Sequence, residues 1–385
     1  MMRKNSSPHS FNLLKKIKEL TRSILEDLCN GCSPTLYIDK FSTYCSESSG
    51  NCRCSSDLPK GKEILTLKRE CHARRLDVLL RVLMVVQQLL QENRHASKRD
   101  IYYMNPLIFK EQSVVDQAIN DICILLHCSR HNLNVVSVGN GLVMGWLRFS
   151  ESGRKFDCIN SLNTAHPIPV NVENVEDIIS VAQYILVVEK ESVFQRLAND
   201  QFCRQNRCIV ITGRGYPDVP TRRFLHLLSE TLRLTAYCLV DCDPYGIDIL
   251  STYRFGSMQM AYDAKFLRIP DIHWLGAFPS DCEKYHLPRQ CLLPLTAEDK
   301  RKVEGMLLRC YLEHEVPRWR FDFMTCASFI TIHCRLLNYS TMSRVELQLL
   351  LDRGLKFEIE ALSVHSLSFL ADEYLPSKIQ NGAYI

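Results

Sequence analysis

Three short apolar runs, Tyr184–Val188 (YILVV), Cys208–Thr212 (CIVIT) and Ala236–Val240 (AYCLV), recur through the middle of the chain with helical patterns between them. Such runs of β-branched and aromatic residues read as strands buried on both faces. Strands that alternate with helices imply a parallel sheet with crossover helices. Ser192–Ala198, Pro220–Leu234 and the stretch from Ile247 supply the helices, so an α/β domain is predicted from about Val181 onward. Beyond Leu293 the pattern is mostly helical, including Ala297–Leu312 and Arg344–Leu351, and is expected to pack against that sheet.

The first half reads differently. Leu79, Leu80, Leu83, Val86 and Leu90 recur at helical spacing, and a second helix is predicted over Glu111–Cys128. Between them lies Ser97-Lys-Arg-Asp-Ile-Tyr-Tyr-Met-Asn-Pro106. Two strand-like runs follow, Asn134–Val138 and Leu142–Phe149, joined through Gly139-Asn140-Gly141, which predicts a hairpin. Helices followed by a hairpin suggest a winged helix, with Trp146 anchoring the wing. Ahead of this, Phe11–Leu28 carries an apolar stripe at helical spacing, a candidate partner-binding helix, and residues 29–62, rich in Ser, Gly and Cys, read as a flexible linker. A length of 385 residues suits two folded domains.

Composition narrows the class. Hydrophobic residues make up 46% of the chain, yet no run of eighteen apolar residues occurs, so no membrane span is expected. Lys15, Lys16, Lys18, Glu19 and Arg22 interrupt the first apolar stretch, which argues against a secretory signal. The 18 cysteines are scattered through apolar segments and are expected to be reduced thiols of an intracellular protein. Five of them, Cys29, Cys32, Cys45, Cys52 and Cys54, cluster near the N-terminus but lack the paired spacing of a zinc site. The net charge of +4 does not by itself indicate nucleic acid, but Lys68–Arg99 holds eight basic residues against three acidic ones.

In open parallel sheets the working residues sit at the carboxyl ends of strands. Here Glu189 follows the first apolar run, and Asp241 and Asp243 follow the third. Two carboxylates one residue apart in an extended segment point to the same side, and a third from a neighbouring strand completes an oxygen site suited to Mg²⁺. The competing reading is that Asp241 and Asp243 merely cap the helix that follows.

A Glu after one strand and Asp-x-Asp after another resembles the Toprim domain of topoisomerases and primases. Two further segments, Thr212-Gly-Arg-Gly-Tyr-Pro-Asp-Val-Pro-Thr-Arg-Arg-Phe224 and Asp241-Cys-Asp-Pro-Tyr-Gly246, with Lys98-Arg-Asp-Ile-Tyr-Tyr103 upstream, narrow the match. Together, over about Leu76 to Pro279, they resemble the A-type chain of DNA topoisomerase VI and its meiotic relatives, the sporulation-eleven family of break-forming transesterases. The residues alone leave Tyr102 and Tyr103 as equal candidates. The resemblance implies that Tyr103 is the nucleophile, that Arg99 stabilises charge on the phosphate, and that Glu189, Asp241 and Asp243 hold Mg²⁺. Lys98, Arg214, Arg222 and Arg223 are further candidates for contact with DNA.

What the resemblance implies is an α/β architecture of three parts: an N-terminal helix and linker (1–62), a winged-helix (CAP-like) DNA-binding domain carrying the nucleophilic tyrosine (63–165), and a Toprim domain with helical C-terminal additions (166–385). Its implied activity is meiotic double-strand-break formation in the nucleus by transesterification, through a 5′-phosphotyrosyl link. The implied partners are double-stranded DNA, a second A-type protomer and a topoisomerase VI B-like subunit. The alternatives are the A-type chain of a somatic topoisomerase VI, a non-cleaving DNA-binding paralogue, and a Toprim primase or nuclease.

Overall fold

The computed structural model describes residues 8–45, 58–313 and 343–385, which fall into two compact units. One holds the described residues up to 41 and from 58 to 138; the other holds 42–45, 139–313 and 343–385. The centre of the expected linker, with Cys52 and Cys54, lies outside the described residues.

In the first unit, α1 (Pro8–Cys29) realises the N-terminal apolar stripe by burying Leu13, Ile17 and Ile24. The linker expectation is corrected in part, because β1 (Thr35–Lys40) and β2 (Gly61–Thr66) form an antiparallel ribbon. Leu36, Ile38 and Leu65 are its buried side chains. That alternation is short and sits among turn residues, which hid it in the sequence. Helix α2 (Glu70–Glu92) buries Leu79, Leu83, Val86 and Leu90 of the expected stripe together with Leu76, Val78 and Val82, while Leu80 is only half-buried. The short strand β3 (Ala96–Ser97) leads into α3 (Lys98–Met104), then α4 (Pro106–Phe109) and α5 (Gln112–Leu126). Arg75 on α2 makes a two-pronged bond with the buried Asp121 of α5, at 3.0 and 3.1 Å, and reaches Glu63 of β2 at 2.9 Å. A buried carboxylate is tolerable only with such a partner.

The hairpin expected around Gly139-Asn140-Gly141 does not form. Strand β4 (Val135–Val136) pairs in parallel with β3, in the first unit, whereas β5 (Leu142–Gly145) belongs to the large sheet of the second. The glycines serve close approach instead. A Cβ on Gly141 would collide with the Thr221 hydroxyl and lie 2.7 Å from Ile168, and the Asn140 N–H donates to Asp218 at 2.6 Å. The hairpin present joins β6 (Leu147–Glu151) to β7 (Arg154–Asp157) through Ser152 and Gly153, both at positive φ. Trp146 donates to the Cys203 carbonyl at 2.7 Å, an anchor within the second unit. The units therefore divide at 138 rather than at the expected 165.

The second unit is built on six strands. After β8 (His166–Pro167) and β9 (Val175–Ser180) come β10 (Tyr184–Val188), β11 (Cys208–Thr212), β12 (Thr235–Leu239) and β13 (His273–Gly276), in the spatial order β13-β12-β10-β11-β5-β8. The four strands β10 to β13 pair in parallel, while β5 and β8 extend one edge antiparallel. Every residue of β10 and β11 is buried, because helices cover both faces. These are α6 (Glu191–Asn199), α7 (Phe202–Asn206), α8 (Val219–Leu232) and α9 (Pro244–Phe255). The chain leaves β10 toward β11 but leaves β12 toward β13, on the opposite side. Adjacent strands with diverging exits create a crevice at their carboxyl ends.

No described cysteine forms a disulfide, and burial raises the thiols of Cys208, Cys238 and Cys242 well above the usual range and that of Cys158 to about 12. An unfolded thiol ionises near about 8.5, so above that pH the unfolded chain loses protons that the fold retains, and stability falls. Lys378, lowered by burial to about 8, and Lys98, lowered by burial as well, have the contrary sign over this range, but they are two groups against four. Under reducing conditions the urea midpoint should fall steadily from pH 8.5 to 9.5; a midpoint constant to pH 9.5 would contradict this burial.

Candidate active site

Tyr103 stands at the end of a short helix whose start is fixed by its own sequence. The Ser97 hydroxyl accepts from the Asp100 N–H at 3.2 Å, and the Asp100 carboxylate accepts from the Ser97 N–H at 2.7 Å. This capping box satisfies two otherwise unpaired donors and contributes about 1 kcal/mol. Ile101, fully buried, pins the helix to the unit's core. The next two residues then differ. Tyr102 donates to the Lys110 carbonyl at 3.3 Å, whereas Tyr103 is 62% exposed, with its ring edge-on to that of Tyr102. Arg99 is exposed one turn before Tyr103, on the same face. Lys98 is committed elsewhere, to Asp116 at 3.2 Å, and burial lowers its pKa.

The acids occupy the crevice of the second unit. Glu189 follows β10 and accepts from the Asp241 N–H at 2.8 Å. Burial first, then the charges of Asp241 and Asp243, push its carboxyl up to about 7. Asp241 follows β12, is 5% exposed, and is raised by burial to about 6. Its Oδ1 accepts from the Ile359 N–H at 2.9 Å and its Oδ2 lies 2.9 Å from the Lys190 ammonium. Asp243 does what the capping reading expects: it is the N-cap of α9 and accepts from the Gly246 N–H at 2.6 Å.

Glu189, Asp241 and Asp243 thus share one strand-end region, but among the described residues no three acids, histidines or cysteines are gathered closely enough to enclose an ion. Mg²⁺ takes one or two carboxylates and fills its octahedron with water and substrate oxygens. The half-buried Glu189 and the buried Asp241 are the hard-oxygen donors that would hold such an ion.

The Thr212–Arg223 segment serves mainly to hold this region. The Thr212 hydroxyl and the Gly215 N–H both donate to the Glu189 carbonyl, at 3.2 and 2.9 Å. A Cβ on Gly213 would stand 2.8 Å from the Tyr253 hydroxyl, and Asp218 caps α8 by accepting from the Thr221 N–H at 2.7 Å. Of its arginines, Arg214 reaches the surface and pairs with Glu191 at 2.9 Å. Arg222 is only 4% exposed, and Arg223 pairs with Glu173 at 2.6 Å, so neither offers its donors to a phosphate arriving from solvent.

Sequence reasoning passed over three groups. Lys190 was visible beside Glu189 but carried no motif of its own. Glu358 and Glu360, each 3.0 Å from Lys190, lie far along the chain and reach the site because Phe357 pairs with Cys242. Gly246 is the third: a Cβ there would lie 2.5 Å from the Asp241 carbonyl and 3.1 Å from the Glu189 carboxylate. Gly246→Ala should therefore cost about 1–3 kcal/mol of stability and displace both acids. A denaturant melt checks this, and an unchanged midpoint would contradict the packing.

Comparison with known proteins is consistent with this geometry. The family model for the Toprim domain of Spo11 and the A-type chain of topoisomerase 6 matches residues 184–379, and one described as "Type IIB DNA topoisomerase" matches residues 74–135. The chain is 65% identical to "Meiotic recombination protein SPO11-1" of Arabidopsis thaliana over 371 residues, 96% of each chain. It is 34% identical to "Meiotic recombination protein SPO11" of Homo sapiens over 390 residues, 98% of this chain and 89% of that one. Against the A-type chain of DNA topoisomerase 6 from Arabidopsis thaliana the identity is 37% over 312 residues, 81% of this chain and 67% of the relative. With a Toprim sheet carrying Glu189, Asp241 and Asp243 at its strand ends, the chain belongs to the family that unites Spo11 with the A-type chain of topoisomerase 6.

Proposed function

We propose that this protein opens DNA double-strand breaks that initiate meiotic recombination, acting in the nucleus as a topoisomerase-like transesterase with Tyr103 as nucleophile. The observation that carries the proposal is the contrast between the neighbouring tyrosines: Tyr102 is tied to a carbonyl, and Tyr103 projects from a capped helix with Arg99 on its face. The helical unit is read as a DNA-binding unit of the winged-helix class, without the wing expected at Gly139-Asn140-Gly141.

In the proposed reaction the Tyr103 oxygen attacks a backbone phosphorus as its proton passes to solvent. A P–O(Tyr) bond forms, the bond to the 3′-oxygen breaks, and that oxygen leaves as a hydroxyl after gaining a proton. One strand end carries a 5′-phosphotyrosyl link and the other a free 3′-hydroxyl. Because one phosphodiester is exchanged for another, the step is reversible. A phenol ionises near about 10, so it requires nearby positive charge, which Arg99 supplies while also opposing the charge that builds on the phosphate oxygens. Glu189 and Asp241 would hold Mg²⁺, with Asp243 positioned by its cap beside them; the bound ion would supply charge stabilisation for phosphate oxygens. Arg214 is the remaining candidate for a phosphate contact.

One chain offers one nucleophile, so cutting both strands requires a second A-type protomer on double-stranded DNA. The family relationship supports one further partner, a topoisomerase VI B-like subunit. Within one plant, the meiotic relative matches at 65% identity and the topoisomerase chain at 37%, which favours the meiotic role over a somatic one. The intact tyrosine and acids disfavour a non-cleaving paralogue. Recovery of protein-linked DNA ends from meiotic cells under denaturing conditions is the test. Wild type and Tyr102→Phe should yield linked ends and Tyr103→Phe none; linked ends persisting in Tyr103→Phe would overturn the assignment.

A further inference from the structure

Lys190 holds a position that the proposed chemistry leaves unexplained. Its ammonium lies 2.9 Å from Asp241 Oδ2, 3.0 Å from Glu358 Oε2 and 3.0 Å from Glu360 Oε2, one cation among three carboxylates. A divalent ion seated on Asp241 would contend with it for the same oxygen. Two cations at one oxygen repel, so one must yield.

The surroundings are built so that Lys190 can yield without either partner being stranded. Asp241 does not depend on Lys190 for its aim, because the Ile359 N–H holds Oδ1 at 2.9 Å. Its backbone is fastened as well, by the Glu189 carboxylate on its own N–H and by the paired Cys242 and Phe357 that follow. On the other side Glu360 stays in place without Lys190, since the Ser192 hydroxyl donates to its Oε1 at 2.8 Å. Lys190 itself is 25% exposed, on a long unbranched side chain with room to swing.

We infer that Lys190 is an exchangeable counter-ion of the metal site: it neutralises Asp241 until a magnesium ion arrives, then rests on Glu358 and Glu360, which thereby set how readily the ion is taken up. Lys190, Glu358 and Glu360 are positioning residues, not metal ligands. This rests on the magnesium reading given above and adds to it a residue set that tunes metal affinity from the C-terminal segment.

The test is calorimetric titration of the full chain with magnesium chloride at fixed ionic strength, comparing wild type, Lys190→Met and Glu358→Gln/Glu360→Gln. Removing the competitor should tighten magnesium binding by up to about fivefold, and removing the acids that receive Lys190 should weaken it by up to about fivefold, the scale of one partly screened charge pair. Opposite signs from the two variants are the signature, since general loosening of the site would weaken both. Binding that is unchanged or weaker in Lys190→Met, while wild type binds magnesium, overturns the proposal alone. Absence of magnesium binding in both wild type and Lys190→Met overturns the magnesium reading and this proposal with it. Should Lys190→Met fail to fold, the Glu358→Gln/Glu360→Gln protein decides: affinity equal to or above wild type contradicts the inference.

Discussion

The divergent exits of β10 and β12 are the constraint on which the second unit depends. Two neighbouring parallel strands whose chains leave in opposite directions cannot both be roofed by the same crossover, so their carboxyl ends open into a crevice. Glu189 and Asp241 stand at those two ends. Apolar strands on either side leave them little water, and burial first, with the mutual repulsion of the neighbouring acids, drives both carboxyls toward neutrality. Such an arrangement is costly unless positive charge is brought to it. Lys190 supplies part of that charge, and a metal ion with its phosphate ligands is the natural complement.

Seen from this crevice, most of the residues that mark the family do structural work. Thr212 and Gly215 hold the Glu189 carbonyl, Gly213 admits Tyr253, Gly246 admits the Asp241 backbone, and Asp243 starts α9. Asp100, within the segment that carries the tyrosine, starts α3. The chemistry is left to a few side chains, and the recurring glycines and acids keep those few in place. This is why short segments of the chain are so informative: they specify backbone geometry as much as reactivity.

The sheet, its helices and the positions of Glu189 and Asp241 were legible in the sequence because short runs of buried apolar residues alternating with helical patterns have few other uses. The same reasoning failed at Gly139-Asn140-Gly141. There the pattern of a hairpin turn and the pattern of close packing use the same residues, and Gly141 is small for the sake of Thr221 and Ile168, not for a positive φ. Asp243 shows a similar ambiguity, since a strand-end acid ahead of a proline serves equally as ligand or cap. Tyr103 could not be separated from Tyr102 by pattern; the hydrogen bond from Tyr102 to Lys110 separates them physically. Glu358 and Glu360 were invisible for another reason. Their proximity to Asp241 is created by tertiary pairing across more than a hundred residues.

The tyrosine and the acids belong to different compact units of one chain, and the proposed chemistry needs both. On the proposed reading, Tyr103 of one protomer would meet the acids of the other, so that cleavage would be a property of the pair. The most direct measurement mixes two inactive proteins, Tyr103→Phe and Asp241→Asn, with DNA and the cognate B-like partner, and counts covalent protein–DNA links after denaturation. The account predicts links on one strand only, all of them to the Asp241→Asn chain, because its tyrosine meets intact acids on the other protomer. No links in the mixture, with links in the wild-type control, would contradict a shared site.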